Sequence, residues 1–171
     1  MPDYRRVRVP GGTYFFTVAI ADRTATLLVD HLQALRDAFA VTRKARPFQL
    51  DAIVVLPDHL HCLWTLPPGD DAYPLRWSQI KAAFSRRIPK GERRRPSHLA
   101  KRERGVWQRR YWECWVRDEA DFRRCLDYIH YNPVKHGYVN RAIDWPHSSF
   151  QHWAARGVYP PGWASHPEAA P

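Results

Sequence analysis

Apolar residues follow two different periods along the chain, and the changes between them divide it into strands and helices. The run Thr13 to Ile20 is rich in aromatic and β-branched residues, which predicts a first strand. Residues 48–56 and 59–66 have the same character and are separated by Pro57-Asp58 alone, so we expect them to pair as a tight hairpin. Residues 107–116 are read as a short strand or an irregular segment.

Three other segments place apolar residues three and four positions apart, the spacing of amphipathic helices. They are residues 29–44, 75–87 and 119–131. Asp118 is suited to cap the third helix, and Asn132 is expected to end it, because the proline that follows disfavours a helical conformation there. The order of elements predicts an α+β architecture with helices packed on a central antiparallel sheet.

The length and composition limit the possible classes of protein. A chain of 171 residues without a repeat or linker predicts one domain over residues 1–165 and a disordered tail at 166–171. A hydrophobic content of 44% argues against disorder, and no apolar run reaches the roughly 20 residues of a membrane helix. With no secretory signal visible we expect a cytoplasmic protein, and we expect Cys62, Cys114 and Cys125 to be reduced core thiols.

The positive charge is concentrated in one part of the chain. The formal net charge is +10, yet residues 76–117 alone hold 14 Lys or Arg against three acids, so the rest of the chain is nearly neutral. Such a segment predicts a polyanionic partner. The part around residues 89–104 is either a solvated, mobile loop or a clamp for phosphates, and the neighbouring Trp107, Tyr111 and Trp112 are suited to stack on unpaired bases.

Two short motifs carry candidate chemistry. In His59-Leu60-His61 the two imidazoles point to the same face of a strand, which suits a metal ion, although such pairs also occur as ordinary hydrogen-bonded histidines. Tyr128 and Asn132 lie four residues apart and share one face of the third helix. Both residues could instead be structural, with Tyr128 a half-buried helix residue and Asn132 a cap at the end of the helix. The turn that follows contains Lys135 and His136, which either meet a phosphate or are solvated.

Five stretches taken together resemble the REP-associated tyrosine transposases, a branch of the single-tyrosine HUH (IS200-like) transposase family named for a His-hydrophobic-His motif. The stretches are Gly11 to Val18, Val54 to Cys62, Gly105 to Glu113, Asp127 to Gly137 and Asp144 to Phe150. The resemblance spans residues 4–163. It departs from the family pattern at Cys114, where the family has histidine after the glutamate, and in the long Arg-rich loop at 90–101.

The resemblance implies a fold, a reaction and a set of site residues. The fold is a ferredoxin-like core, and the reaction is metal-dependent cleavage and rejoining of single-stranded DNA at hairpins of repetitive extragenic palindromic (REP) sequences. By the same resemblance, His59, His61 and Asn132 hold Mg²⁺ or Mn²⁺, and Tyr128 is the nucleophile that forms a 5′-phosphotyrosine. The enzyme is then a single-strand DNA transposase and endonuclease.

For the DNA hairpin, the resemblance and the basic segment together predict a set of contact residues. They are Arg5, Arg6, Arg76, Lys81, Arg86, Arg87, Arg93, Arg94, Arg95, Trp107, Arg109, Arg110 and Lys135. We expect a nucleoid-associated protein that acts as a monomer, with a homodimer as the alternative. Two rival functions stay open: a non-catalytic DNA or RNA hairpin-binding protein, and a metal-dependent nuclease that uses water while Tyr128 is only structural.

Overall fold

The computed structural model describes residues 6–92 and 96–165. The predicted DNA contacts Arg5, Arg93, Arg94 and Arg95, and the predicted tail 166–171, lie outside these ranges. The elements in chain order are β1 (Thr13–Ala19), α1 (Leu27–Asp30), α2 (Leu32–Ala45), β2 (Gln49–Val55), β3 (His59–Thr65), α3 (Tyr73–Arg87), α4 (Pro96–Ala100), β4 (Trp112–Val116), α5 (Glu119–Lys135), a 3₁₀ turn (Ala142–Asp144) and α6 (Phe150–Ala155).

The four strands form one sheet in the order β2-β3-β1-β4, and every neighbouring pair is antiparallel. With helices between β1 and β2 and between β3 and β4, this is the split βαβ arrangement of ferredoxin-like folds. The predicted α+β class and ferredoxin-like core are therefore confirmed. The ambiguous segment at 107–116 divides into an irregular part, in which Trp107 forms a bridge with Ile20 just after β1, and the edge strand β4.

One face of the sheet is covered by α2 and α3 and is almost entirely apolar. Trp64 of β3 stacks on Trp77 of α3 with ring centroids 4.5 Å apart, and Phe16 of β1 lies 4.7 Å from the Trp64 ring. All three side chains are fully buried. Because large buried aromatic side chains contribute much of the free energy of folding, this face contributes strongly to the protein's stability.

The opposite face of the sheet is covered by α5 and the C-terminal segment. The Asp118 side chain accepts a hydrogen bond from the backbone N–H of Asp121 at 2.8 Å, which confirms it as the cap of α5. Leu126 and Ile129 of α5 pack against a cluster that includes Leu63 of β3. This packing fixes α5, and hence Tyr128 and Asn132, over the His59 end of the sheet.

The prediction that α5 ends at Asn132 is wrong. The helix continues to Lys135 with Pro133 inside it, and it ends where Gly137 takes a positive φ of 73°. Proline costs a helix one backbone hydrogen bond, but Pro133 and Val134 are buried in the cluster beneath α5. Tertiary packing therefore outweighs the local preference against helix, and Asn132 keeps a helical position one turn after Tyr128.

The described parts of the loop, residues 89–92 and 96–104, contain more order than a solvated chain. Besides the short helix α4, the Arg104 guanidinium bonds both carboxylate oxygens of Glu92 and the backbone carbonyls of Ser85, Ile88 and Pro89. Arg104 thus serves as an internal anchor of the loop.

The expectation for the cysteines holds only in part. All three thiols are free, but Cys62 alone is buried, and Cys114 is exposed on edge strand β4. Over the ranges that the structure covers, no helix has the length and apolar character needed to cross a membrane.

Candidate active site at the histidine pair

His59 and His61 lie on β3 and face α5, as the two-residue period of a strand predicts. Both are buried, with 5% and 3% of their surface exposed, and their ring centroids are 5.0 Å apart. Leu60, between them, points into the opposite cluster beneath α2 and α3. The strand therefore brings two imidazoles together on one face while its other face contributes to the core.

Each imidazole is oriented through Nδ1. His59 Nδ1 lies 2.7 Å from Asp58 Oδ1, and the other Asp58 oxygen accepts a hydrogen bond from Arg23 Nε. His61 Nδ1 lies 2.8 Å from Thr17 Oγ1 on the neighbouring strand β1. When Nδ1 carries the proton in each ring, Nε2 presents a lone pair, which is the usual arrangement for histidines that bind metals.

Burial keeps both rings neutral. Burial lowers the pKa of His59 even though Asp58 acts to raise it. The pKa of His61 falls to about 3, chiefly because of burial, with further contributions from His59 and His136. Neutral imidazoles can ligate a cation without first losing a proton.

α5 brings Asn132 and Tyr128 to the same place. Asn132 is fully buried, and its Nδ2 donates to the backbone carbonyl of Tyr128 at 3.0 Å. This bond fixes which end of the amide points away from the helix. The Tyr128 ring lies 5.2 Å from the His61 ring, and 40% of the tyrosine's surface is exposed. The structure therefore brings together all four residues predicted for the centre.

Two buried atoms in this centre make no hydrogen bond of ordinary geometry: His61 Nε2 and Asn132 Oδ1. The two side chains are neighbours, because Asn132 acts to raise the pKa of His61 against the larger effect of burial. An unsatisfied buried polar atom costs about 1–3 kcal/mol, so two together need an explanation. Both are lone-pair donors of the kind that divalent cations accept, and the set of two imidazoles and one amide oxygen fits such an ion. Over residues 6–92 and 96–165, no group of three or more His, Cys, Asp or Glu forms a metal cluster. A site here therefore depends on the asparagine.

The Tyr128 hydroxyl lies beside a cation and an open cleft. Lys135 Nζ is 3.4 Å from the Tyr128 oxygen and 4.8 Å from the centre of its ring. The cleft extends from Tyr128 along Phe15, Thr17 and Trp112 towards edge strand β4. An extended polyanion can therefore reach the hydroxyl from the β4 side.

Sequence reasoning missed two residues that support the site and gave a third, His136, a different role. Asp58 and Thr17 orient the imidazoles, and the His136 ring lies 5.2 Å from the His59 ring. Asp58 immediately precedes His59, so a carboxylate beside the motif was a visible signal. Thr17 is not marked by any motif, because its contact depends on the register that pairs it with His61.

The predicted DNA contacts divide into accessible and buried residues. Arg76 is wrong as a surface contact: it is 1% exposed, and its guanidinium bonds the Asp70 carboxylate and the carbonyls of Arg46 and Pro47. Trp107 is 9% exposed, and its Nε1 donates to the Lys81 carbonyl, so its ring is mainly part of the core.

The other described members of the predicted DNA-contact set are at least partly accessible. They are Arg6, Lys81, Arg86, Arg87, Arg109, Arg110 and Lys135. Arg109 is 43% exposed in its side chain and pairs with Glu103. Lys135 lies at Tyr128, whereas Arg6 and Lys81 lie near Tyr111 on the other face of the sheet. The accessible basic residues therefore lie on both faces of the sheet.

An α+β domain with a buried histidine pair on its sheet and a tyrosine on the covering helix can be compared with known families. Residues 9–132 match the family described as "Transposase IS200 like". The chain is 44% identical to the REP-associated tyrosine transposase of Escherichia coli K12, over 96% of this chain and 92% of the relative. It is 45% identical to a Haemophilus influenzae protein that is provisionally named a REP-associated tyrosine transposase, over 98% of this chain and 96% of the relative.

A solved structure gives the same result in three dimensions. The structure of a REP-associated tyrosine transposase bound to a REP hairpin superimposes with a TM-score of 0.82 at 44% sequence identity, and covers 96% of this chain and 92% of that one. The chain therefore belongs to the IS200-like transposase family, in its REP-associated tyrosine transposase branch.

Proposed function

We propose that the protein is a metal-dependent single-strand DNA transposase that cleaves and rejoins DNA at REP-type hairpins through a 5′-phosphotyrosine at Tyr128. The observation that carries the proposal is the pair of partnerless lone-pair atoms, His61 Nε2 and Asn132 Oδ1, buried beside an accessible tyrosine. A purely structural histidine pair would be expected to have its hydrogen bonds satisfied.

In the proposed reaction the Tyr128 oxygen attacks the phosphorus of one phosphodiester. The bond from phosphorus to the 3′ oxygen breaks, the phenol gives up its proton, and the departing 3′ oxygen takes one up. The products are a 5′-phosphotyrosine and a free 3′-hydroxyl. Because the phosphodiester bond is conserved in the covalent link, a 3′-hydroxyl can attack it and rejoin strands without a high-energy cofactor.

Lys135 has a role in activating the nucleophile. A tyrosine hydroxyl is a weak nucleophile at neutral pH because its ordinary pKa is near 10. The Lys135 ammonium, 3.4 Å from the Tyr128 oxygen, stabilises negative charge that develops there as the proton leaves.

His59, His61 and Asn132 would hold Mg²⁺ or Mn²⁺. Such an ion, when bound, would polarise the scissile phosphate and stabilise the charge on the leaving oxygen. Asp58 and Thr17 keep the two imidazoles in the ligating orientation through their Nδ1 atoms. The bond from Asn132 Nδ2 to the Tyr128 carbonyl keeps Oδ1 directed away from the backbone of α5.

The proposed substrate rests on the family and on charge. A relative with 44% identity is bound to a REP hairpin in its solved structure. In this chain the basic segment 76–117 supplies exposed cations for the phosphate backbone, including Arg109 and Arg110. These residues would fix the hairpin on the surface while the adjoining single strand enters the cleft at Tyr128.

The test is a cleavage assay on single-stranded oligonucleotides that carry hairpins from the flanks of the protein's own gene, with Mn²⁺ or Mg²⁺. Wild type should nick the DNA and form a covalent adduct, and Tyr128→Phe should do neither while it binds the hairpin with unchanged affinity. Tyr131→Phe is the matched control, because Tyr131 is 44% exposed on the same helix. Nicking by Tyr128→Phe would favour the nuclease that uses water, and binding without any nicking by wild type would favour the non-catalytic binder.

A further inference from the structure

A third buried histidine lies on α5 and takes no part in the proposed reaction. His130 is fully buried, two residues after Tyr128 and two residues before Asn132. At that spacing its side chain leaves the helix on a different side from theirs. Burial lowers the pKa of His130 to about 3, so the ring is neutral. A neutral imidazole has one N–H donor and one lone-pair acceptor, and both need partners when the ring is buried.

Both nitrogens of His130 have a partner in the C-terminal segment, which we define as residues 145–163. Nδ1 lies 2.7 Å from the Tyr159 hydroxyl, and Nε2 lies 2.8 Å from Ser149 Oγ. The ring therefore has the full set of hydrogen bonds, whereas His61 Nε2 makes none of ordinary geometry. The two histidines differ in what their contacts can do: one is open to a ligand, and the other ties α5 to another part of the chain.

These contacts continue beyond the imidazole in both directions. Ser149 Oγ accepts a hydrogen bond from the Ile53 backbone N–H at 3.0 Å, and the Ser149 N–H donates to the Ile53 carbonyl at 2.8 Å. Burial, and then the Asp127 carboxylate to which its hydroxyl is hydrogen-bonded, raise the pKa of Tyr159. The hydrogen bonds therefore lead from β2 through the C-terminal segment to α5, and they end at the residue that precedes Tyr128.

One arrangement of protons satisfies every member of this chain of hydrogen bonds. Tyr159 donates to Asp127, so its oxygen is free to accept from His130 Nδ1–H. The other nitrogen of the ring then accepts from the Ser149 hydroxyl. Hydrogen bonds depend on angle, whereas apolar contacts do not. The chain therefore holds the imidazole, and the turn of α5 that carries it, in one orientation.

This turn of α5 needs an external support. Pro133 has no N–H, so the hydrogen bond that the Ile129 carbonyl would receive in a regular helix is missing. The inner side of the helix contacts the sheet through apolar residues such as Leu126, and such packing does not fix a rotation as directional bonds do. Tyr128 and Asn132 lie on either side of the missing bond.

We propose that His130 is a positioning residue for Tyr128 and Asn132. Its bonds to Ser149 and Tyr159 set the rotation of α5 at which the tyrosine faces the cleft and the amide oxygen faces the histidine pair. The inference rests on the proposed function for the roles of those two residues. A small rotation of α5 would move both groups together, and a misplacement of about 1 Å can slow a reaction about 100-fold. The C-terminal segment is thus part of the framework of the active site.

The first readout is Mn²⁺ binding in the absence of DNA, followed by electron paramagnetic resonance of the free ion. Tyr159→Phe removes one hydroxyl and should weaken Mn²⁺ binding about tenfold, the lower end of the effect of partners that orient metal ligands. Tyr73→Phe is the matched control, because Tyr73 is fully buried on α3 and its hydroxyl donates to the Val7 carbonyl at 3.0 Å. Both variants lose a buried hydrogen bond and should melt earlier, but Tyr73→Phe should bind Mn²⁺ as wild type does.

The second readout is the rate of adduct formation at saturating DNA and Mn²⁺. His130→Phe removes both bonds of the ring and should slow the adduct about tenfold or more, with the affinity for the hairpin unchanged. His130→Gln should recover part of the rate and of the Mn²⁺ affinity, because an amide can donate to Tyr159 and accept from Ser149. A role in stability alone would predict no such recovery at a temperature at which every variant is folded.

The outcomes separate the proposal from the proposed function. The proposal is overturned if Tyr159→Phe and His130→Phe bind Mn²⁺ and form the adduct as wild type does, or if Tyr73→Phe loses as much Mn²⁺ affinity as Tyr159→Phe. Tyr159→Phe decides the question by itself if His130→Phe does not fold. In each of these cases wild type still forms the adduct, whereas a wild type that neither binds Mn²⁺ nor forms the adduct would contradict the proposed function itself.

Discussion

On β3, Leu60, Cys62 and Trp64 face α2 and α3, whereas His59, His61 and Leu63 face α5. Each face retains buried polar atoms without a hydrogen-bond partner, but the atoms are of different kinds. On the α2 and α3 face they include the indole N–H donors of Trp64 and Trp77, inside an aromatic core, whereas on the α5 face they are the lone-pair atoms His61 Nε2 and Asn132 Oδ1, which can ligate a cation. The contrast separates residues kept for stability from residues kept for chemistry.

The sharpest test of this contrast uses two adjacent residues. His61→Ala should reduce nicking about 1000-fold or more because a ligand is lost, while the free energy of unfolding falls by less than in Leu60→Ala, because an unpartnered polar atom leaves with the ring. Leu60→Ala should lower the free energy of unfolding by about 2–5 kcal/mol through the cavity it leaves, with nicking per folded molecule unchanged. Urea titration and the nicking assay measure both. A loss of stability in His61→Ala as large as in Leu60→Ala would show that both residues stabilise the fold, and the two faces would not differ in role.

A second comparison concerns two arginines of the basic segment. Arg76→Met should lower the free energy of unfolding by about 2–4 kcal/mol, because Asp70 and two carbonyls lose their partner, and the folded variant should bind DNA normally. Arg109→Met should change stability by less than about 0.5 kcal/mol but weaken hairpin binding and reduce its salt dependence. Thermal melts and binding at several salt concentrations decide between these outcomes. If folded Arg76→Met bound DNA weakly, Arg76 would be a DNA contact and not only a buried structural residue.

A smaller effect is expected at Lys135. Lys135→Met should slow adduct formation about tenfold, because the phenolate loses the nearby positive charge, and Lys135→Arg should restore most of the rate. The rate should be measured at saturating DNA so that binding does not contribute. An unchanged rate in Lys135→Met would exclude this role for the ammonium.

The smallest predicted effect is a pH dependence on the α3 side. The free protein's Lys81 has its pKa lowered to about 8, so it loses its proton as pH rises through that value, while a bound phosphate favours the charged form. Affinity for hairpin DNA should therefore fall by up to about tenfold per pH unit between pH 8 and 9. Lys81→Met should lack this step, and a step that persists in the variant would assign it to another group.

Much of this arrangement was predictable from the sequence, for identifiable reasons. The periods of strands and helices are local properties, so the α+β order and the shared face of His59 and His61 followed directly. Helical spacing also linked Tyr128 with Asn132, although the rule against helix before proline gave the wrong end for α5. That rule is local, and the burial of Pro133 that overrides it is a tertiary effect.

The errors among the basic residues have a different cause. Arg76 lies four residues before the buried Ile80, so its spacing already placed it on the inner face of α3. Its role depends on Asp70 in the preceding loop and on carbonyls before β2, which no helical pattern contains. His136 and Thr17 likewise reach the site only through the pairing of strands and the docking of α5.

The central claim is that Tyr128 becomes covalently attached to DNA, and mass spectrometry of the trapped adduct tests it most directly. After incubation of wild type with Mn²⁺ and a hairpin oligonucleotide, the peptide that contains Tyr128 should carry the 5′-phosphorylated cleavage product, and the other fragment should end in a 3′-hydroxyl. Adduct mass on another residue, or nicked DNA with no adduct under conditions that trap it, would contradict the account.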